Sequence, residues 1–240
     1  MKNLFKIHWL TYLILISVLL AGYFNYFLII SIILFFHELG HIILIKLFGC
    51  QIKKIEILPF GCIINTNIGP NTNSIKILLI SLGGVMAQLF LFLIMPNFLS
   101  SINYPIFMTY NSLLIWFNLL PIIPLDGSKI LASIFESFIS YKKAMIIQNI
   151  ISSLAIIILI IYITFHALNV YLIISFLIYK TYEQIKNHTH LFNYFLLDRH
   201  LNKYNFKKIK HISLIKHIYK NRFNFIKGEN EDRVLSSYFN

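Results

Sequence analysis

The segment His37-Glu38-Leu39-Gly40-His41 sets two imidazoles one helical turn apart, with a carboxylate next to the first. Side chains at i and i+4 leave a helix on the same face, so both rings can reach one metal ion, and zinc is the metal this pattern suits. Glu38 then stands where a general base for a water molecule is needed. For a five-residue pattern taken alone, the alternative is a chance match or polar residues that only bond between helices. The setting disfavours that alternative. Glu38 is the only Asp, Glu, Lys or Arg in residues 7–45, and charged groups inside a long apolar segment are costly to hold and usually functional.

A catalytic zinc takes three protein ligands and keeps a fourth position open. Only Glu38, Glu56, Asp126 and Glu136 are acidic before residue 180. Glu56 and Glu136 fall among lysines, whereas Asp126 ends the run Asn118-Leu-Leu-Pro-Ile-Ile-Pro-Leu-Asp126. Pro121 and Pro124 interrupt a regular helix there and allow the backbone to turn a carboxylate inward. Asp126 is therefore the expected third ligand to one zinc ion per chain, with an N-cap for a helix beginning at Ser128 as the alternative. Asn118 is a candidate for binding the substrate backbone or a developing oxyanion, with a helix-to-helix amide contact as its alternative.

The elements that must carry these groups follow from composition. The 240 residues are 58% hydrophobic and 12% charged, with mean hydropathy +0.72, which describes a membrane protein. Residues 7–45, 77–125 and 144–179 are long, nearly charge-free stretches of 39, 49 and 36 residues. One span needs about 20 residues, so each stretch is expected to be a helical hairpin. The breaks fall at Gly22–Asn25, Pro96–Pro105 and His166–Asn169, all lacking Lys and Arg, while lysines collect at the opposite ends. The positive-inside rule then gives an all-α polytopic protein of about six spans, with both termini cytoplasmic. On this topology His41 and His37 lie roughly 7–8 and 13–14 Å along the helix from Lys46, at 1.5 Å per residue. Asp126, three residues before Lys129, approaches from the same side.

Residues 52–64, with Ile52, Ile55 and Ile57 before Leu58-Pro59-Phe60-Gly61 and Cys62-Ile63-Ile64 after it, read as a cytoplasmic strand, turn and strand. Such a hairpin could add a locally extended substrate as a further strand. The expected division is 1–182, a transmembrane metalloprotease domain, and 183–240, a basic cytoplasmic tail that is a shortened regulatory or substrate-docking segment. That tail has eleven basic and five acidic residues. With the net charge of +12, it points to anionic lipid as a partner and not to nucleic acid. Cys50 and Cys62 are expected to be reduced, and His8, His166, His188, His190, His200, His211 and His217 are assigned to no metal.

HELGH in an early span and NLLPIIPLDG in a later one together resemble the site-2 protease family of intramembrane zinc metalloproteases. The segments KIHWL (6–10), LPFG (58–61), FNLLPIIPLDG (117–127) and FLLDRH (195–200) are most similar to its sporulation branch. The resemblance covers nearly the whole chain and implies zinc, six spans and hydrolysis of a membrane-associated precursor. In that branch the substrate is the inactive precursor of sporulation sigma factor K, in the mother-cell membrane around the forespore, and inhibitory membrane partners are implied as well. Gly83-Gly84 stands where the family usually has Gly-Pro, and a pair of glycines suits close helix approach. About forty residues follow His200, too few for the branch's complete nucleotide-sensing domain. Two other functions compete with this reading: a membrane metalloprotease of another class with a Glu as third ligand, and a non-catalytic membrane protein that binds or transports metal.

Overall fold

The computed structural model describes residues 5–7, 9–58, 61–162, 168–202, 204 and 206–239. His8, the expected turn residues Pro59 and Phe60, and His166 and Ala167 of an expected loop lie outside the described residues. The chain divides into two compact units, Met1–Ile68 with Leu79–Asn118, and Gly69–Leu78 with Leu119–Asn240.

The first unit opens with strand β1 (Phe5–Ile7) and helices α1 (Trp9–Leu20) and α2 (Phe24–Leu47), followed by strands β2 (Ile52–Leu58) and β3 (Gly61–Thr66). Helix α3 (Ser74–Ile94) and helix α4 (Asn103–Leu119) complete it, α3 starting in the other unit. Strand β2 pairs antiparallel with β3, as the sequence pattern predicts. It also pairs parallel with β1, from Phe5 opposite Ile55 to Ile7 opposite Ile57. That second pairing was not expected, because Phe5-Lys6-Ile7 is too short to alternate visibly and reads as the approach to a span. The order β1-β2-β3 leaves β3 at an edge.

Helix α2 ends where Gly49 takes φ +70°. Its N–H reaches Lys46 O while Cys50 N–H reaches Ile45 O. These two bonds satisfy carbonyls that the helix end would otherwise leave bare, and the left-handed conformation suits glycine. Asn73 Oδ1 accepts from Ile75 N–H at 2.9 Å at the start of α3, the bond an N-cap residue makes. Ile29 and Ile33 of α2, Leu91 of α3 and Phe107 of α4 form the apolar core of this unit. Where α2 crosses α3, a Cβ on Gly40 would stand 2.1 Å from the Gly83 carbonyl oxygen. Glycine at both positions is thus what lets the two backbones meet.

The second unit contains helices α5 (Asp126–Phe138), α6 (Tyr141–Tyr162), α7 (Leu168–Lys186) and α8 (His188–Leu201). Strands β4 (Ile209–Ile212), β5 (Phe223–Ile226) and β6 (Glu229–Asn230) and helix α9 (Glu231–Phe239) follow. Strand β4 runs parallel to β5, and β5 antiparallel to β6. Met145 of α6, Phe192, Phe195 and Leu196 of α8, and Ile218, Ile226 and Leu235 from the following residues form one core.

The basic segment after residue 183 is therefore a folded part of this unit, and charge is built into its interior. Arg199, 3% exposed, bonds Glu231, Asn71 Oδ1 at 3.2 Å and the carbonyls of Tyr219, Lys220 and Arg222. Lys220, 2% exposed, places Nζ 2.6 Å from Glu136 Oε2 on α5, which also accepts from Ser74 Oγ at 3.2 Å. Burial pulls the Lys220 ammonium below its ordinary pKa while the Glu136 carboxylate pulls it back up. Deleting residues 203–240 would strip Ile218, Ile226 and Leu235 from the core and leave Arg199 without its carbonyl acceptors, so such a truncation tests folding before it tests docking.

Among the described residues, three helices are long and apolar enough to cross a membrane: Phe24–Leu47, Ser74–Asn97 (α3 with the 3-10 turn that follows it) and Tyr141–Tyr162. Phe35, Ile43, Leu47, Leu93, Leu154 and Ile161 on these helices are exposed, a surface that hydrocarbon covers and water does not. The chain is an integral membrane protein. The other expected spans correspond to α1, α4 and α7, of 12, 17 and 19 residues.

Candidate metal centre

His37 and His41 are buried on α2, and Glu38 is half-buried beside them. The two ring Nε2 atoms are 3.2 Å apart, with the rings at 82°. Each Nδ1 meets an oxygen on α3: His37 Nδ1 lies 2.9 Å from Gln88 Oε1, and His41 Nδ1 lies 2.7 Å from the Ile80 carbonyl. Both oxygens can only accept, so each Nδ1 carries the proton and each Nε2 presents its lone pair. Two nitrogens bound at ~2.0–2.1 Å to one tetrahedral zinc stand about 3.3 Å apart, so the pair fits zinc in both donor chemistry and spacing.

Ile80, Gly84 and Gln88 follow one another at intervals of four along α3, and the middle residue is the floor under the rings. A Cβ on Gly84 would lie 2.4 Å from His37 Cε1 and 2.6 Å from His41 Nε2. A Gly84→Ala chain is expected to bind zinc at least 10-fold more weakly than the wild-type chain, because the methyl group must displace both rings. Chelator competition on the detergent-solubilised protein measures this, and unchanged affinity would mean that the rings are free to shift.

Asp126, 5% exposed, is the first residue of α5, where Leu125 holds the N-cap position and makes no side-chain cap bond. Its segment is tied to the neighbouring helices by side chains. Ser152 Oγ donates to Pro121 O at 3.0 Å, Gln148 Nε2 to Ser128 O at 3.2 Å, and Thr181 Oγ1 to Ile123 O at 3.5 Å. The next residue has to be glycine, since a Cβ on Gly127 would meet Leu119 O at 2.1 Å and Leu120 O at 2.5 Å. Lys129 Nζ lies 2.8 Å from Asp126 Oδ1. His37, His41 and Asp126 are each buried and each offers an atom that can ligate a metal ion. Asn118 is half-buried in the last turn of α4.

Sequence reasoning missed Ile80 and Gln88. Gln88 carried a readable signal, an amide inside a long apolar helix, whereas the Ile80 contribution is a main-chain carbonyl that no side-chain pattern reveals.

No profile of a known protein family matches the chain. It is 27% identical over 209 residues to stage IV sporulation protein FB of Bacillus subtilis, covering 82% of this chain and 72% of that protein. It is 35% identical over 138 residues to a zinc metalloprotease of Methanocaldococcus jannaschii, covering 55% of this chain and 40% of the relative. In structure it is similar to the site-2 protease of Methanocaldococcus jannaschii, with a TM-score of 0.53 and 23% identity, covering 75% of this chain and 89% of the other. This last likeness is one of fold.

Proposed function

We propose that this chain is an intramembrane zinc metallopeptidase of the site-2 protease family and hydrolyses a peptide bond of a membrane-associated protein with His37, His41 and Asp126 as metal ligands and Glu38 as general base. The observation that carries this reading is the pair of buried imidazoles whose Nδ1 atoms are engaged by Gln88 and Ile80 while their Nε2 atoms converge at 3.2 Å.

Zinc, when bound, supplies a Lewis acid that polarises the scissile carbonyl and brings the pKa of a water towards ~7. His37 and His41 contribute ring-nitrogen donors whose Nδ1 atoms are held by oxygens on α3, which orients Nε2 for the metal. Glu38, one residue from His37 on the same helix, takes the proton from the attacking water and returns it to the leaving amine. Asn118 binds the substrate backbone or the developing oxyanion in this scheme.

A helical substrate hides its carbonyls in its own hydrogen bonds, so it must be drawn out locally before attack. The outer edge of β3, the last strand of this sheet among the described residues, suits that task, because an extended segment can add there as a fourth strand. We read α1, α2, α3, α4, α6 and α7 as six spans with both termini cytoplasmic, so that the sheet and the folded basic segment share one side with anionic lipid. The substrate that fits the sporulation-branch motifs is the precursor of sigma factor K, processed at the mother-cell membrane around the forespore, with inhibitory membrane partners limiting access. Co-expression with a tagged sigma-K precursor is expected to yield a shortened product on a gel. A precursor that stays full length beside a membrane-inserted, zinc-loaded chain overturns the substrate assignment.

A further inference from the structure

Gln88 is fully buried in the middle of an apolar helix, and so is Asn111 on α4. Their hydrogen bonding is incomplete. Gln88 spends Oε1 on His37 Nδ1 at 2.9 Å, while its Nε2 has no partner among the described residues. Asn111 Nδ2 donates to the main-chain oxygen of Gln88 at 3.1 Å, while its Oδ1 is likewise without a partner there. An amide with an unmatched buried donor is a poor way to stabilise a helix contact, since a leucine in the same place would bury apolar surface and strand nothing. Stability of the bundle therefore does not account for Gln88, whereas the bond to His37 does.

We propose that Gln88 is a positioning residue for zinc: its amide oxygen fixes the His37 ring in the tautomer and rotation that aim Nε2 at the metal, and Asn111 fixes Gln88 by holding its main chain. The proposal rests on the reading of His37 as a ligand. Metal-bound histidines generally pass their second N–H to a carbonyl or carboxylate, and losing that partner lowers metal affinity by about 10–100-fold. His41 uses a main-chain carbonyl for this purpose, which no substitution of Ile80 removes. His37 depends on a side chain and is the ligand that mutation can uncouple. The substitution at Gln88 thus acts on the His37 side of the pair.

The test is zinc affinity of the full-length chain in detergent, by chelator competition, together with the visible spectrum of the cobalt-substituted protein. Gln88→Met, similar in shape but unable to accept the bond, is expected to bind zinc 10–100-fold more weakly and to alter the cobalt bands. Gln88→Glu, which offers an acceptor oxygen in the same place, is expected to bind within about 3-fold of wild type. Asn111→Leu is expected to fall between them. Wild-type affinity in Gln88→Met overturns the proposal if His37→Ala loses zinc, because the ligand then binds without its support. Wild-type affinity in His37→Ala instead overturns the ligand reading itself. Equal loss in Gln88→Met and Gln88→Glu, with unfolding temperatures lowered alike, overturns the proposal in favour of a packing role.

Discussion

A Glu38→Gln chain is expected to lose hydrolysis by about 10²–10⁴-fold, the range that a positioned general base contributes, while zinc content and accumulation in the membrane stay close to wild type. The amide keeps the shape of the carboxylate but cannot take a proton from water. The metal-binding pair is left intact, because the supports of His37 and His41 come from Gln88 and Ile80 on α3. Activity is read from processing of a tagged substrate and zinc from the purified protein. Turnover near the wild-type rate would remove Glu38 from the mechanism. It would also favour a metal-binding or transport role, which has no use for a base.

Asp126→Asn is expected to change both quantities at once, lowering zinc affinity by more than the 10–100-fold typical of an outer-shell residue and abolishing processing. In the proposed site the substitution would remove a ligand charge from a residue that is 5% exposed with almost no change in side-chain volume. It also breaks the ion pair with Lys129, so Lys129→Ala is the necessary companion. The Lys129 side chain is half exposed, and pairs of that kind contribute ~0–1 kcal/mol. The companion is therefore expected to keep its zinc. If Asp126→Asn binds zinc normally and cleaves normally, the third ligand lies elsewhere.

What could be read from the sequence was governed by distance along the chain. His37 and His41 share a helix, so their spacing alone puts both rings on one face. Pro121, Pro124 and Asp126 likewise act within ten residues. The supports from α3 were out of reach, because Ile80 and Gln88 meet the histidines only after Gly40 and Gly83 let two helices approach. Strand β1 was missed because three residues give no periodicity, and its partner lies about fifty residues away. The basic segment misled for another reason. A run of Lys, Arg and polar residues ordinarily reads as solvated surface, yet Arg199, Lys220 and Glu231 are among its most buried residues. Charge patterns report burial poorly when main-chain carbonyls supply the partners.

The bond between Lys220 and Glu136 also bears on how the protein is made. These residues are 84 positions apart, so at ~5–20 residues per second a ribosome needs about 4–17 s to travel from one to the other. During that interval the nascent chain already contains HELGH and PLDG in full. The carboxylate on α5, the helix that Asp126 begins, still lacks Lys220, one of the two donors it has among the described residues. A chain interrupted between the two positions would carry HELGH and PLDG and lack the Lys220 bond to α5. Presence of the motifs in a fragment is accordingly no measure of whether the fragment can work.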